Sequence, residues 1–243
     1  MLFYILEILI TLHLIPIKYN LYYIYKMEEF IKKYKNFENN EIINYDNEIK
    51  LIKITISNNN KPLVIIPPYS FNGFVKIMET INNNFEIIKK KYNIIYIIFW
   101  NEKIKKESEK ITDGINDIKE QYKINEIFRI NLANIVNNII KKQKIKNFTL
   151  LGKSAGGGVA IYITKKNKQV SNLFLICPGL LKMNIVLNKE IKIILSWNID
   201  DDKIPYEKSL LLIKNYIKNK NDFKFISFTT GGHELHEDFF KYI

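Results

Sequence analysis

Residues 147–158, NFTLLGKSAGGG, limit what this chain can fold into more than any other segment. An apolar run stops at Gly152, and Gly156, Gly157 and Gly158 follow at once. Such a run reads as a buried strand that hands over to a segment packed too closely for bulky side chains. Glycine is scarce, nine in 243 residues, so its placement is informative. Gly73, Gly152, Gly179, Gly231 and Gly232 likewise fall at or just after the end of an apolar run. In an open α/β sheet the strand ends are where ligands bind.

The rest of the chain supports that class. Strand-like runs lie at 48–56, 62–68, 93–100, 147–152, 172–179, 191–197 and 223–230. Several are apolar on both faces, as in a parallel sheet covered by helices on each side. Residues 124–146 and 206–220 carry apolar residues at helical spacing, and 155–167 begins with small residues and ends in lysines, which suit a helix C-terminus. The polar stretch 101–123 reads as a helix or a surface excursion. Strand–helix alternation, 47% apolar content and the absence of an internal repeat predict one α/β domain over 27–243.

Composition excludes several functions. The net charge is +12, yet the lysines are spread along the chain and Arg129 is the only arginine. Arginine makes the forked contacts that read phosphates and bases, so nucleic-acid binding is not expected. The lone Cys177 permits no intrachain disulfide, which fits a reducing, cytoplasmic setting. His13, His233 and His236 form no cluster with zinc-ligand spacing. Residues 1–26 open on an apolar stretch interrupted by Glu7 and His13, at the short limit for a membrane span. This segment reads as an upstream extension or a helix packed on the domain, with a membrane anchor over 1–25 as the competing reading.

Gly152-Lys153-Ser154 poses a choice between two machines. A phosphate-binding loop needs glycine five residues before Gly152, where Asn147 stands, and a flexible arc where residues 148–151 continue a strand. A nucleophile elbow needs a strand, a sharp turn with serine at its tip, and a helix packed close behind. Gly152 and Gly156 flank Ser154 at two residues on each side, and the small residues around it relieve crowding. The helix that follows offers the Ala155 N–H to a developing oxyanion. A serine nucleophile needs a base. His233 follows a strand and two glycines that let its loop bend over the serine, whereas His236 reads as a surface residue one turn later. The acid that orients the histidine comes from Asp200, Asp201 and Asp202, with the others left to cap or turn the chain.

The segments PLVIIPPYSFNG, FTLLGKSAGGG, NLFLICPGL, SWNIDDDKIP and TTGGHELHEDF together resemble the α/β-hydrolase superfamily over about residues 48–243. The resemblance implies a mostly parallel central sheet with helices on both faces, and the order Ser…Asp…His. Asp201-Asp202-Lys203-Ile204-Pro205 matches the family's Asp-x-x-[Val/Ile]-Pro, which singles out Asp201 as the acid. It also implies a second oxyanion amide after the PLVII strand. Pro67 and Pro68 have no N–H, so Tyr69 or Ser70 supplies it, with Tyr69 preferred. This chain departs from the family in lacking His-Gly at that strand end and a glycine-rich stretch after the next strand. It also has room for only residues 180–190 where larger members insert a cap, which implies an open site for small esters, thioesters or acylated partners. The implied chemistry is acyl transfer to water through Ser154, His233 and Asp201, with no metal or organic cofactor. A catalytically inactive binding protein of the same fold and a membrane-anchored acyl hydrolase are the alternatives. Lys153 reads as an exposed lysine, or else as an attractor of acidic substrates.

Overall fold

The computed structural model describes residues 25–34, 37, 39–44, 49–57, 61–179 and 186–243. Its strands in chain order are β1 (Asn40–Asn44), β2 (Ile49–Thr55), β3 (Pro62–Ile66), β4 (Ile94–Trp100), β5 (Phe148–Lys153), β6 (Val170–Ile176), β7 (Lys192–Asn198) and β8 (Phe223–Phe228). They form one sheet in the order β1-β2-β4-β3-β5-β6-β7-β8. From β4 to β8 every pairing is parallel, while β2 runs antiparallel to both β1 and β4. Every residue of β3 and β5 is buried. Side chains alternate between faces, so a wholly buried strand requires cover on both sides. β3 stops at Ile66 because Pro67 cannot donate to a ladder.

The sheet is mostly parallel, as the sequence implies, and what the sequence reading lacks is the strand at its antiparallel edge. β1, NEIIN, is short and polar and escaped notice; it pairs Ile42 with Ile52 at the sheet margin. A short polar strand at the rim is one way proteins blunt an exposed edge.

A helical segment over 25–32 sends Met27 and Ile31 into the core; it is taken here as α1. The remaining helices are α2 (Phe71–Asn83), α3 (Phe85–Ile88), α4 (Glu102–Lys110), α5 (Ile118–Lys142), α6 (Ala155–Lys166) and α7 (Glu207–Lys218). α2, absent from the sequence reading, is capped by Ser70 Oγ accepting from Gly73 N at 3.1 Å. Residues 101–123 resolve into α4, capped by Asn101, and the first turns of α5, capped by Asp117. The C-terminal segment beyond His236 forms a 3₁₀ turn over Phe239–Lys241. That turn buries both Phe239 and Phe240, which suffices to seat the C-terminal segment on the core.

One hydrophobic cluster runs from Met27 to Phe240. Between β6 and β7 no helix intervenes among the described residues. No helix among the described residues is long and apolar enough to cross a membrane, and the anchor reading of residues 1–25 falls almost wholly outside them.

Candidate active site

The site begins where β5 meets α6. Ser154 has φ 52° and ψ −125°, a left-handed conformation that costs a side-chain-bearing residue free energy and persists only when its surroundings impose it. Those surroundings are explicit. Ser154 N donates to Ile176 O at 3.0 Å, and Ser154 O accepts from Gly157 N at 2.9 Å and Gly179 N at 2.7 Å. The glycines let α6 approach this closely. A Cβ on Gly156 would stand 2.2 Å from Ile66 O and 2.4 Å from Pro67 O, and one on Gly152 would stand 2.6 Å from Ala160 Cβ.

Asp201 and His233 lie on loops that must travel to reach this turn. β6 separates β5 from β7, and β8 lies beyond β7. At roughly 4.8 Å per strand, the end of β8 is about 14 Å from the elbow. Five extended residues span about 16 Å, so the segment from Thr229 to His233 just suffices. It is tethered midway. Asp200 Oδ1 and Oδ2 accept from Gly232 N at 2.7 Å and Gly231 N at 3.1 Å. Asn198 Nδ2 donates to Gly232 O at 2.8 Å and Glu234 O at 2.9 Å. Gly231 and Gly232 both have positive φ, and a Cβ on Gly231 would stand 2.7 Å from Asn198 Nδ2.

The tethered loop brings His233 Nε2 to 2.8 Å from Ser154 Oγ. Its Nδ1 lies 2.9 Å from Asp201 Oδ2 and 3.0 Å from Oδ1. An ionised carboxylate can only accept, so Nδ1 carries the proton and Nε2 is left to accept from the serine hydroxyl. Asp201 is 7% exposed and also accepts from Ile204 N at 2.8 Å and Lys203 N at 2.9 Å. Burial alone pushes its carboxyl up. Hydrogen bonds from the Ile204 amide, His233, Cys177 and the Lys203 amide outweigh burial and hold it below the usual aspartate value. Asp201 therefore stays charged beside the imidazole. Of its neighbours, Asp202 is an exposed partner of Lys203, and Asp200 holds the loop as described.

The other residues named from sequence fall as follows. Ala155 is the first residue of α6, where an amide has no acceptor within the helix. Tyr69 is the first residue with an N–H after the two prolines, and its ring is buried edge-on to Trp100 and Phe128. Burial first of all pushes its hydroxyl up to about 12, with the Arg129 charge opposing. His236 does not join the site; it stacks on Phe228 at 3.8 Å. Lys153 corrects the sequence reading: it is 2% exposed, and its Nζ lies 3.2 Å from Glu234 Oε2. It ends a strand that is buried throughout, so its side chain has nowhere outside to go.

Sequence reasoning also missed Cys177, Asn198 and Glu234. One ligand atom from each of Cys177, Asp201 and His233 lies within 4.8 Å of the others. A metal would need the thiolate. Burial, ahead of the nearby Asp201, pushes the Cys177 thiol up to about 12, and in that state it suits a weak donor to the carboxylate. A surface concavity of about 820 Å³ beside Asn134, Lys144 and Lys166 contains none of these residues. Site assignment here rests on hydrogen-bond geometry, which concavity alone does not supply.

No protein-family model and no curated protein sequence matches the chain. Solved structures do. It is similar to a predicted CIB-like hydrolase from Thermoplasma acidophilum, with TM-score 0.55 and 17% identity over 83% of this chain and 91% of that one. An alpha-beta serine hydrolase homologue from Coxiella burnetii aligns with TM-score 0.53 and 12% identity, over 82% and 91% of the two chains. The carboxylesterase Cest-2923 from Lactobacillus plantarum aligns with TM-score 0.51 and 11% identity, over 80% and 83%. The chain therefore has the α/β-hydrolase fold, with no large cap among its described residues.

Proposed function

We propose that this protein is a serine hydrolase that cleaves an ester or thioester through an acyl-enzyme. The observation that carries the proposal is the continuous chain Ser154 Oγ–His233 Nε2 and His233 Nδ1–Asp201, at 2.8 Å and 2.9 Å. It is supported by similarity to structures described as a carboxylesterase and a serine hydrolase homologue.

Ser154 Oγ attacks the substrate carbonyl while His233 Nε2 takes its proton, a step that positioned bases accelerate by about 10²–10⁴-fold. Asp201 keeps the imidazole in the required tautomer and stabilises the imidazolium that forms. The amides of Ala155 and Tyr69 bind the developing oxyanion, where one donor is worth about 10²–10³-fold. His233 then gives its proton to the leaving oxygen or sulfur. Water, deprotonated by the same nitrogen, hydrolyses the acyl-enzyme and restores Ser154. The short β6–β7 connection favours small acyl groups, or acyl groups presented on a larger partner.

The test is labelling by a fluorophosphonate probe, followed by a series of p-nitrophenyl esters of rising chain length. Wild type is expected to take the label and Ser154→Ala to lose it. An unlabelled wild type refutes the reading, and equal labelling of Ser154→Ala refutes the nucleophile.

A further inference from the structure

Resting on the serine-hydrolase reading, we infer that Lys153 and Glu234 are positioning residues, which form a second rung that holds the base over the nucleophile. Lys153 immediately precedes Ser154, and Glu234 immediately follows His233. The two contacts between the elbow and the base loop are thus successive rungs: Ser154 Oγ to His233 Nε2 at 2.8 Å, and Lys153 Nζ to Glu234 Oε2 at 3.2 Å. The first rung breaks and reforms in every turnover, as the proton leaves Ser154. The second takes no part in the chemistry and persists throughout.

The second rung is built from the inside. The Lys153 side chain is 3% exposed, and a buried ammonium demands an opposite charge. Glu234 supplies it from a side chain 37% exposed, in a charge contact. The other carboxylate oxygen, Oε1, accepts from Lys76 Nζ of α2 at 2.7 Å, and the Glu234 backbone O accepts from Asn198 Nδ2 at 2.9 Å. Glu234 is therefore tied to β5, β7 and α2 at once. The tethers from Asp200 and Asn198 fix only the β7 side of the loop. Lys153–Glu234 is the contact that fixes the side facing the nucleophile. It also bears on the strained Ser154 backbone, because a residue anchored at 153 limits the freedom of the turn that follows.

A loop released on one side leaves substrate binding intact and lets the imidazole drift. A drift of about 1 Å at a reacting group is enough to cost on the order of 10²-fold in rate. The discriminating variant is the double change K153M/E234Q, which removes both charges and leaves none buried without a partner. It is to be compared with wild type for fluorophosphonate labelling rate, for kcat and KM on a p-nitrophenyl ester, and for thermal midpoint. The expected result is labelling and kcat slower by about tenfold to a hundredfold, with KM within about twofold and a folded protein. Wild-type labelling rate in the folded double variant overturns the inference, as does a loss confined to KM. Should that variant not fold, Glu234→Asp keeps the charge and shortens the reach by one methylene. It is then expected to label several-fold more slowly, and an unchanged rate overturns the inference. If wild type itself takes no label, the serine-hydrolase reading fails, a result separate from any of these.

Discussion

Replacing Gly156 with alanine tests the packing on which the elbow depends. The added Cβ would lie 2.2 Å from Ile66 O and 2.4 Å from Pro67 O, whereas ordinary contacts begin near 3.4 Å. The obstacles are backbone atoms at the end of a wholly buried strand, so they cannot swing aside as a side chain could. Relief requires the first turn of α6 to back away by about 1 Å, or β3 to shift within the sheet. Overpacking of this kind costs about 1–3 kcal/mol. For a chain of this length each kcal/mol lowers Tm by about 2–4 °C, so a fall of roughly 2–12 °C is expected.

The same retreat carries the Ala155 amide and Ser154 away from Tyr69 and His233, so activity should fall further than stability. A displacement near 1 Å corresponds to about 10²-fold in rate. The assay is differential scanning fluorimetry alongside fluorophosphonate labelling of the folded protein. Gly114→Ala is the control. Gly114 has a left-handed φ of 74°, unlike Gly156, and a Cβ there meets nothing within 4 Å. It should lose about 1 kcal/mol from backbone strain and keep full labelling. If Gly156→Ala melts with wild type and labels at the wild-type rate, the close approach of α6 to β3 is not what positions the nucleophile.

Two further predictions follow from the ionisable groups. Asp201 and Glu234 are both held below their ordinary values; for Glu234, burial acts upward, and the Lys76 hydrogen bond followed by the Lys153 charge overcomes it. A depressed carboxylate contributes stability that is complete above its unfolded value, about 3.9 for Asp and 4.3 for Glu, and is lost as pH falls through the folded value. Tm should therefore hold from pH 7 to about 5 and drop on further acidification, with a smaller drop in Glu234→Gln; equal acid profiles would refute the Glu234 contribution. Cys177, fully buried and pushed up to about 12, should resist iodoacetamide at pH 8 in the native protein and react once it is unfolded in urea. Rapid native labelling would refute its burial.

What could be read in the sequence was whatever depends on order along the chain. The strand before Ser154, the small residues after it and the order of serine, aspartate and histidine are local or sequential features. Scarcity sharpened them, since with three histidines in 243 residues only His233 stands behind a strand and two glycines. What could not be read depends on which strands become neighbours. Asn198 carries no signal of its own; it acquires a task because β7 lies between the base loop and the elbow. β1 is invisible because an edge strand needs only one partner and one buried face, so its pattern stays weak. Lys153 is the instructive failure. Its type suggested the surface, but its position did not: residues 148–151 are apolar on both faces, and a sixth residue continuing such a strand is buried by the same cover. A lysine forced inside must find a carboxylate, and the one it meets is the neighbour of His233 that the fold brings back past β7 and β6. Reading Lys153 by strand position instead of residue type would have predicted an acidic partner, and with it a second link between the two halves of the site.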